Sequence, residues 1–505
     1  MLPNQSVSLA HSFARHLDSD PEATAIVVGD DRWTRAQLST QADRVITTLL
    51  AAGAKPGDAV VAHYDTGFED VAVALAAARV GCVFMPIPKR LGEREFRYVV
   101  ELADPTVVMV NTDVQRAMVD EREGMLVTTR AEIAADQPTA VEPHAWAGDV
   151  PAVVGFTSGS TGLPKGVMHG WSSMDWVADR IAERAGLSYG EAICVTGAGA
   201  GAPGFTFYTY LGLTRGLPIV KSEKWDPARV VELMAREKCV WSTMVPTMLL
   251  MLMRAREELG DALDLSSMRT ISMGGSPMSS DLIADARRIM GFEVLRVYAM
   301  AEVMMHCHMG LDSTQEERNL LDGKPGPDCD LVILGPSGER LPDGEVGEVA
   351  MRGPSLMLGY LGDPSGVEGM LTSEGFLRSG DLGRKVEGGY VKIVGRLKDM
   401  IIRGGFNIDP SEVEELIRLY PGVRDVAVVG YPDPVYGERA CAWIWTDEEV
   451  TMADLVQHLL GLKLSKEKLP ERVVCTHTVP QSPDGKILKG ELRKILAHEA
   501  AKATA

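Results

Sequence analysis

The 505-residue chain contains no apolar run near the roughly 18 residues that a membrane-crossing helix requires, so no membrane span is predicted. It has no long Lys/Arg run, and its net charge is −19. Such a field repels nucleic acid and anionic membrane surfaces, which excludes both as expected partners. An anionic ligand must then be held by local donors. Cysteine is sparse: seven are scattered along the chain and none forms a CxxC pair. That pattern argues against a disulfide framework and predicts reduced, buried thiols. His306-Cys307-His308 is the densest group of metal-ligating residues. Neighbouring side chains of an extended segment point to opposite faces, and structural zinc takes four ligands, so no zinc is expected there. Met1 to Arg15 carries polar and charged residues where a signal peptide has its apolar core, and a cytoplasmic location is expected.

What is present is an ordinary globular composition, 45% hydrophobic and 24% charged, on a chain too long for one core. Strand-like and helix-like segments alternate for most of its length. The apolar positions Leu38, Ala42, Val45, Leu49 and Leu50 predict a helix over 36–52. Strands are predicted at 59–63, 106–110 and 239–244, and a helix at 68–80 that stops at Gly81. Asp226-Pro227 and Asp409-Pro410 each read as a helix start. This alternation predicts an α/β fold with mostly parallel sheets flanked by helices. Beyond Asp381 the pattern changes to dense Gly/Pro turns and then a smaller α+β unit, with strands at 425–429 and 442–445 and a helix at 452–460. The boundary is placed near Arg396 to Asp399, giving domains 1–396 and 397–505. The Ala-rich tail reads as a helix end.

The most informative stretch is Thr157-Ser158-Gly159-Ser160-Thr161-Gly162-Leu163-Pro164-Lys165-Gly166, which follows an apolar strand over 152–156. Its four hydroxyls, three glycines and one lysine suit a polyphosphate. Glycines let backbone N–H groups converge on an anion, hydroxyls add donors, and Lys165 adds a cation. It is not a Walker A loop, because Pro164 and Gly166 stand where that motif needs Gly and Ser/Thr. Gly274-Gly275-Ser276-Pro277-Met278 lacks the last glycine of a nucleophile elbow.

The loop resembles the signature of the adenylate-forming superfamily, which includes acyl-CoA synthetases, aryl-CoA ligases, firefly-type luciferases and peptide-synthetase adenylation domains. Six further segments resemble that family's motifs in order. They are Gly274-Gly275-Ser276, Tyr298-Ala299-Met300-Ala301-Glu302, Ser379-Gly380-Asp381, Gly395 to Asp399, Gly404-Gly405-Phe406 with the following Glu412 and Glu414, and Pro483 to Ile487. The resemblance spans roughly residues 30 to 495 and is closest to acyl-CoA ligases. It implies a large N-terminal α/β domain and a small mobile C-terminal α+β lid.

By the same resemblance, Thr157, Ser158, Gly159, Ser160, Thr161 and Lys165 would cradle phosphates, and Glu302 would hold Mg2+, a hard cation that favours oxygen ligands. Gly274, Gly275, Ser276 and Tyr298 would bracket adenine. Asp381, assisted by Arg396, would accept from the ribose hydroxyls. Lys486 would reach the acyl carboxylate and the α-phosphate. Lys398 would be the hinge about which the lid turns, and Gly404, Gly405 and Phe406 would line the CoA arm. The implied cofactors are ATP or an acyl-AMP, Mg2+ and CoA.

Three departures from the family pattern matter. Ala301 replaces a threonine whose hydroxyl donates to the α-phosphate, and loss of one such donor costs on the order of 10²–10³ in rate. Ala299 replaces a glycine. Gly197 to Gly204 holds four glycines and three alanines where the family has an apolar strand end with a His or aromatic. With Gly199, Gly201 and Gly204 on one side, and Ala299, Met300 and Met304 in the facing segment, a wide apolar acyl pocket is expected. It would suit a bulky hydrophobic acid of secondary metabolism. No Asp or Glu occurs from Val195 to Tyr210 to pair with an α-amine, which argues against an amino-acid substrate. The leading expectation is an acyl-CoA ligase. A thioester-forming enzyme fed a preformed adenylate by a partner adenylating enzyme, and a loader of an acyl carrier protein, are the alternatives in the same chemistry. A non-catalytic ligand-binding relative and a luciferase-like oxidase complete the set.

Overall fold

The computed structural model describes residues 8–503, apart from 90, 134–137, 147–149, 159–162, 198, 261–262, 276–277, 279, 404–405, 434 and 482–486, and apart from the side chains of 158, 364, 406–407 and 500–503. They fall into two compact units. One comprises Met1–Gly275, Ser280–Asp330 and Arg352–Gly375; the other comprises Ser276–Ser279, Leu331–Met351 and Phe376–Ala505.

The first unit is built on two large, mostly parallel sheets. One orders its strands Gly359–Tyr360, Pro164–His169, Val153–Ser158, Val83–Pro88, Ala59–Tyr64, Val107–Val110 and Leu126–Thr129. Its first two strands run antiparallel, as the second arm of the phosphate hairpin and a short edge. The other sheet carries Ile193–Val195, Trp241–Met244, Thr270–Met273 and Glu293–Met300 as parallel neighbours. It then turns back through the antiparallel Val303–His308. Helix Phe68–Val80 packs against strands of both sheets, which is why it is apolar and buried nearly all round. Its alanines at 72, 74, 76, 77 and 78 let the layers approach closely.

Local signals set the element ends. Thr34 and Gln37 form a reciprocal capping box at the start of helix Arg35–Ala51, one residue before the predicted start. The Asp226 carboxylate accepts from Ala228 N at 3.0 Å and so caps Pro227–Arg236. The strand predicted from 239 begins at Trp241, because Lys238 is left-handed (φ +50°) and Cys239 N still closes the preceding helix onto Met234 O.

The second unit holds two smaller sheets. Asp330–Leu334, Gly347–Arg352, Leu377–Val386 and Tyr390–Arg396 form one. Ile401–Arg403, Phe406–Ile408, Gly437–Thr446, Val423–Asp433 and Arg472–Thr476 form the other, with helices Pro410–Arg418, Met452–Gly461 and Lys489–Ala503. Packing thus places residues 331–351 and 376–396 with the C-terminal sheet, whereas the composition shift puts the change of domain at 396/397. All seven cysteines are free thiols; Cys475 is exposed and Cys329 half-buried, so the expected burial does not hold for these two. No helix among the described residues is long and apolar enough to cross a membrane.

Four histidines are buried in the first unit. Burial pushes His63, His169, His306 and His308 from the ordinary 6.5 down to about 4. Each is neutral when folded and gains a proton on unfolding between those values. The unfolded chain then binds more protons, so stability is full above pH 6.5 and falls as pH drops toward 4. Thermal unfolding followed from pH 7.5 to 4.5 is expected to show a melting temperature that declines steadily below 6.5. A flat profile would contradict the neutral assignment.

Candidate active site

The phosphate hairpin is built by Val153–Ser158 and Pro164–His169, with Thr157 opposite Lys165. Gly159, Ser160 and Thr161 lie outside the described residues, as does the side chain of Ser158. Lys165 is exposed, and its Nζ stands 5.1 Å from the centre of the Tyr360 ring.

Ala301 and Glu302 form the tip of the hairpin whose arms are Glu293–Met300 and Val303–His308, with Met300 opposite Val303. The tip is fastened to the phosphate hairpin from two directions. His169 Nε2 pairs with the Ala301 carbonyl at 2.8 Å. The Tyr360 hydroxyl donates to Glu302 Oε1 at 2.8 Å. Burial and the adjoining Glu302 push the Tyr360 hydroxyl upward, so it remains a donor. Backbone bonds complete the strap: Met357 N to Glu302 O at 2.9 Å, Leu358 N to Met168 O at 2.8 Å and Leu361 N to Gly166 O at 2.8 Å.

Glu302 is a half-buried carboxylate that offers oxygen donors. Among the described residues no group of three His, Cys, Asp or Glu side chains could hold a metal. A lone carboxylate suits Mg2+, which keeps waters and takes substrate phosphate oxygens rather than an all-protein cage. In the His306-Cys307-His308 triplet, His308 is engaged by Ser272 Oγ at 3.1 Å through Nε2 and by the Met309 carbonyl through Nδ1.

The two segments expected around adenine come together. Gly274 and Gly275 follow strand Thr270–Met273, and Gly275 has φ +80°. A Cβ at Gly274 would overlap the Val297 carbonyl oxygen, so glycine there permits close approach to the buried Tyr298 strand. Ser276 lies outside the described residues.

The Gly-rich segment runs into a helix whose centre, Phe205–Tyr210, is a π-helical stretch, a conformation frequent at functional sites. Thr206, two residues beyond the Gly-rich segment, places its Oγ1 3.2 Å from Met304 Sδ, so the helix that follows that segment packs on the methionine strand. Met304 is fully buried, while Ala299 and Met300 are half-buried. The glycines differ in what replaces their side chains. Gly201 (φ +87°) faces open space, with nothing within 4 Å of a Cβ position. Gly204 sits in the first helical turn. Gly199 is different: a Cβ there would overlap Thr66 Oγ1 and come within 3.2 Å of Tyr64. At that position protein, not open space, fills the gap.

In the second unit Asp381 is buried and takes Arg396 Nε at 2.9 Å, with the two residues opposite one another in their sheet. Ser379 Oγ donates to Val349 O at 2.6 Å and accepts from Asp381 N at 3.0 Å, which fixes the turn. Lys398 lies in a single 3-10 turn, Leu397–Asp399, anchored by Asp399 to Arg493 at 2.7 Å. Gly404, Gly405 and Lys486 lie outside the described residues, as does the Phe406 side chain. The backbone of Phe406 pairs with Arg403. Gln481 pairs with Ile487, on either side of the lysine segment.

Sequence reasoning missed His169 and Tyr360. Their signal was available only in part. A histidine four residues past Lys165 and a Gly-Tyr pair at 359–360 carry no periodicity, and their partners are 132 and 58 residues away.

The chain matches the family model described as AMP-binding enzyme over residues 13–361, and the model described as AMP-binding enzyme C-terminal domain over 412–486. It is 32% identical to a feruloyl-CoA synthase of an Amycolatopsis species, covering 95% of this chain and 97% of that protein. It is 29% identical to an indoleacetate–CoA ligase of Aromatoleum aromaticum, covering 98% and 99%. Its structure resembles ATP-bound MatB from Rhodopseudomonas palustris with a TM-score of 0.88 at 27% identity, over 97% of this chain and 99% of that one.

Gly199→Ala is expected to lower stability by about 1–3 kcal/mol through overpacking against Thr66. Thr66→Ala should recover most of that loss in the double variant, read from urea unfolding. Equal stability of Gly199→Ala and the parent protein would show that the gap is open after all.

Proposed function

We propose that this chain, which belongs to the AMP-binding enzyme family, is an acid–thiol ligase that forms an acyl-CoA thioester from a bulky hydrophobic carboxylic acid by way of an acyl-adenylate. The observation that carries this reading is the fastening of the Lys165 hairpin to the Glu302 tip, which brings a cation and a hard anionic ligand to one place. A triphosphate with its divalent cation needs that pair. The named CoA ligases among the relatives support the thiol acceptor.

In the first step a carboxylate oxygen of the acid attacks the α-phosphorus of ATP, the P–O bond to the β-phosphate breaks, and pyrophosphate leaves. Two anions must meet, so donors must converge on the phosphorus as charge develops there. Lys165 and the hydroxyl-rich loop hold the leaving phosphates, and Lys486 supplies a second cation. Bound at Glu302, Mg2+ would neutralise phosphate charge. Gly274, Gly275, Ser276 and Tyr298 bracket the adenine, while Asp381 accepts from the ribose and Arg396 holds Asp381. In the second step the CoA sulfur, as thiolate, attacks the acyl carbon and AMP departs. Lys398 is the pivot between the steps for a lid of residues 397–505, and Gly404, Gly405 and Phe406 flank the CoA arm. Gly201, Gly204, Ala299 and Met300 line the acyl side, with Gly199 and the fully buried Met304 supporting it from behind.

A second reading is favoured by one observation. Ala301 places a methyl where a donor to the α-phosphate would stand, and its carbonyl is occupied by His169. Adenylation would then be weak, with thioester formation from an acyl-adenylate made by a partner enzyme.

Two reactions on the purified protein separate these readings, each followed by mass analysis of acyl-CoA over a panel of aryl and polycyclic acids. One supplies acid, ATP, Mg2+ and CoA; the other supplies synthetic acyl-adenylate and CoA. Product in both is expected. Product from the adenylate alone would support the second reading, and product in neither would reject both. Ala301→Thr should raise the ATP-dependent rate by roughly tenfold or more and leave the adenylate-fed rate unchanged.

A further inference from the structure

Tyr360 is the side chain that meets both charged groups of the candidate site. Its ring faces Lys165 Nζ at 5.1 Å, and its hydroxyl reaches Glu302 Oε1 at 2.8 Å. Several bonds fix it. Its backbone pairs with Val167, and its neighbours bond Met168 and Gly166. Met370 Sδ lies 3.5 Å from the hydroxyl, and Tyr360 is only 7% exposed. Gly166 is glycine because a Cβ would come within 2.9 Å of Leu361 Cβ, so the strap lies flat against the phosphate hairpin.

A lysine and a glutamate within reach of one tyrosine attract one another. If they paired directly, each would quench the group the other must offer to a ligand. An aromatic ring gives the ammonium a partner through its negative face. A neutral hydroxyl gives the carboxylate a hydrogen bond without cancelling its charge. Both partners leave charge available: the ammonium for phosphate, the second carboxylate oxygen for a cation.

We infer that Tyr360 is a positioning residue that keeps Lys165 and Glu302 separate and aimed, and so couples recognition of a polyphosphate to recognition of its divalent cation. This rests on the reading of Glu302 and Lys165 given under Proposed function. A nucleoside monophosphate has no β- or γ-phosphate and needs no such cation. Its binding is therefore insensitive to Tyr360.

Calorimetric binding of ATP at graded Mg2+ concentrations, and of AMP without Mg2+, tests this on the full chain. For Tyr360→Phe, the Mg2+ concentration giving half-maximal ATP binding is expected to rise roughly tenfold, the effect of one lost bond to a charged group. AMP affinity should stay within about twofold, the spread expected of a site with no lost contact. Tyr360→Leu also removes the ring and should further weaken ATP but not AMP. Unchanged Mg2+ dependence in both variants would overturn the inference. So would parallel loss of ATP and AMP binding, which marks a general structural role. Failure of the parent protein to bind either nucleotide would instead refute the nucleotide-site reading beneath it.

Discussion

A carboxylate and a triphosphate repel one another, and a protein that joins them must hold opposite charge close by without letting that charge collapse on itself. In the function proposed for this chain, the strap over residues 355–361 would meet this constraint. It bonds the phosphate hairpin at Gly166 and Met168 on one edge and the Glu302 tip at its carbonyl on the other. The tip and the hairpin belong to different sheets, so no single ladder could fix their spacing. Tyr360 and His169 add side-chain bonds across the same gap. Net charge gives no help, since the molecule as a whole is acidic and disfavours the approach of anions. Local geometry has to supply all of the attraction.

The glycines serve that geometry in two distinct ways. Some permit close approach: Gly155 lies against the Ala202 backbone, Gly274 against the Val297 backbone, and Gly166 against the Leu361 side chain. These hold the strands around the site at distances that a methyl group would forbid. Gly201 faces open space, which is the behaviour expected of a substrate wall. A missing side chain states only that there is a gap. Whether protein or ligand fills it depends on what the rest of the chain brings there.

The same distinction explains what could be read from the residues alone. The parallel α/β architecture was legible because its signals are local: apolar periodicity along 36–52, N-cap residues at Asp226 and Asp409, a glycine stop at Gly81. The family was legible from motif-like segments that occur in order along the chain, and the matches to the AMP-binding enzyme models over 13–361 and 412–486 agree with it. The bracing was not legible. Gly359–Tyr360 is a two-residue strand, too short for any periodic signal, and it acquires meaning only through Val167 and Glu302. The π-helical stretch at 205–210 was equally silent, because its sequence differs little from that of a short aromatic helix or strand. Gly199 was placed in an acyl wall by composition, whereas Thr66 and Tyr64 occupy its flank.

The central claim is that one place in the first unit offers Lys165 to phosphate and Glu302 to a divalent cation. A crystal structure of the full chain with ATP and Mn2+ tests it most directly, since manganese scatters anomalously far more strongly than the protein and nucleotide atoms around it. The account predicts an anomalous peak bonded to a Glu302 carboxylate oxygen, with the terminal phosphates over the 157–166 hairpin and the Tyr360 hydroxyl still on Glu302. Manganese bound elsewhere, or a triphosphate lying away from that hairpin, would contradict it.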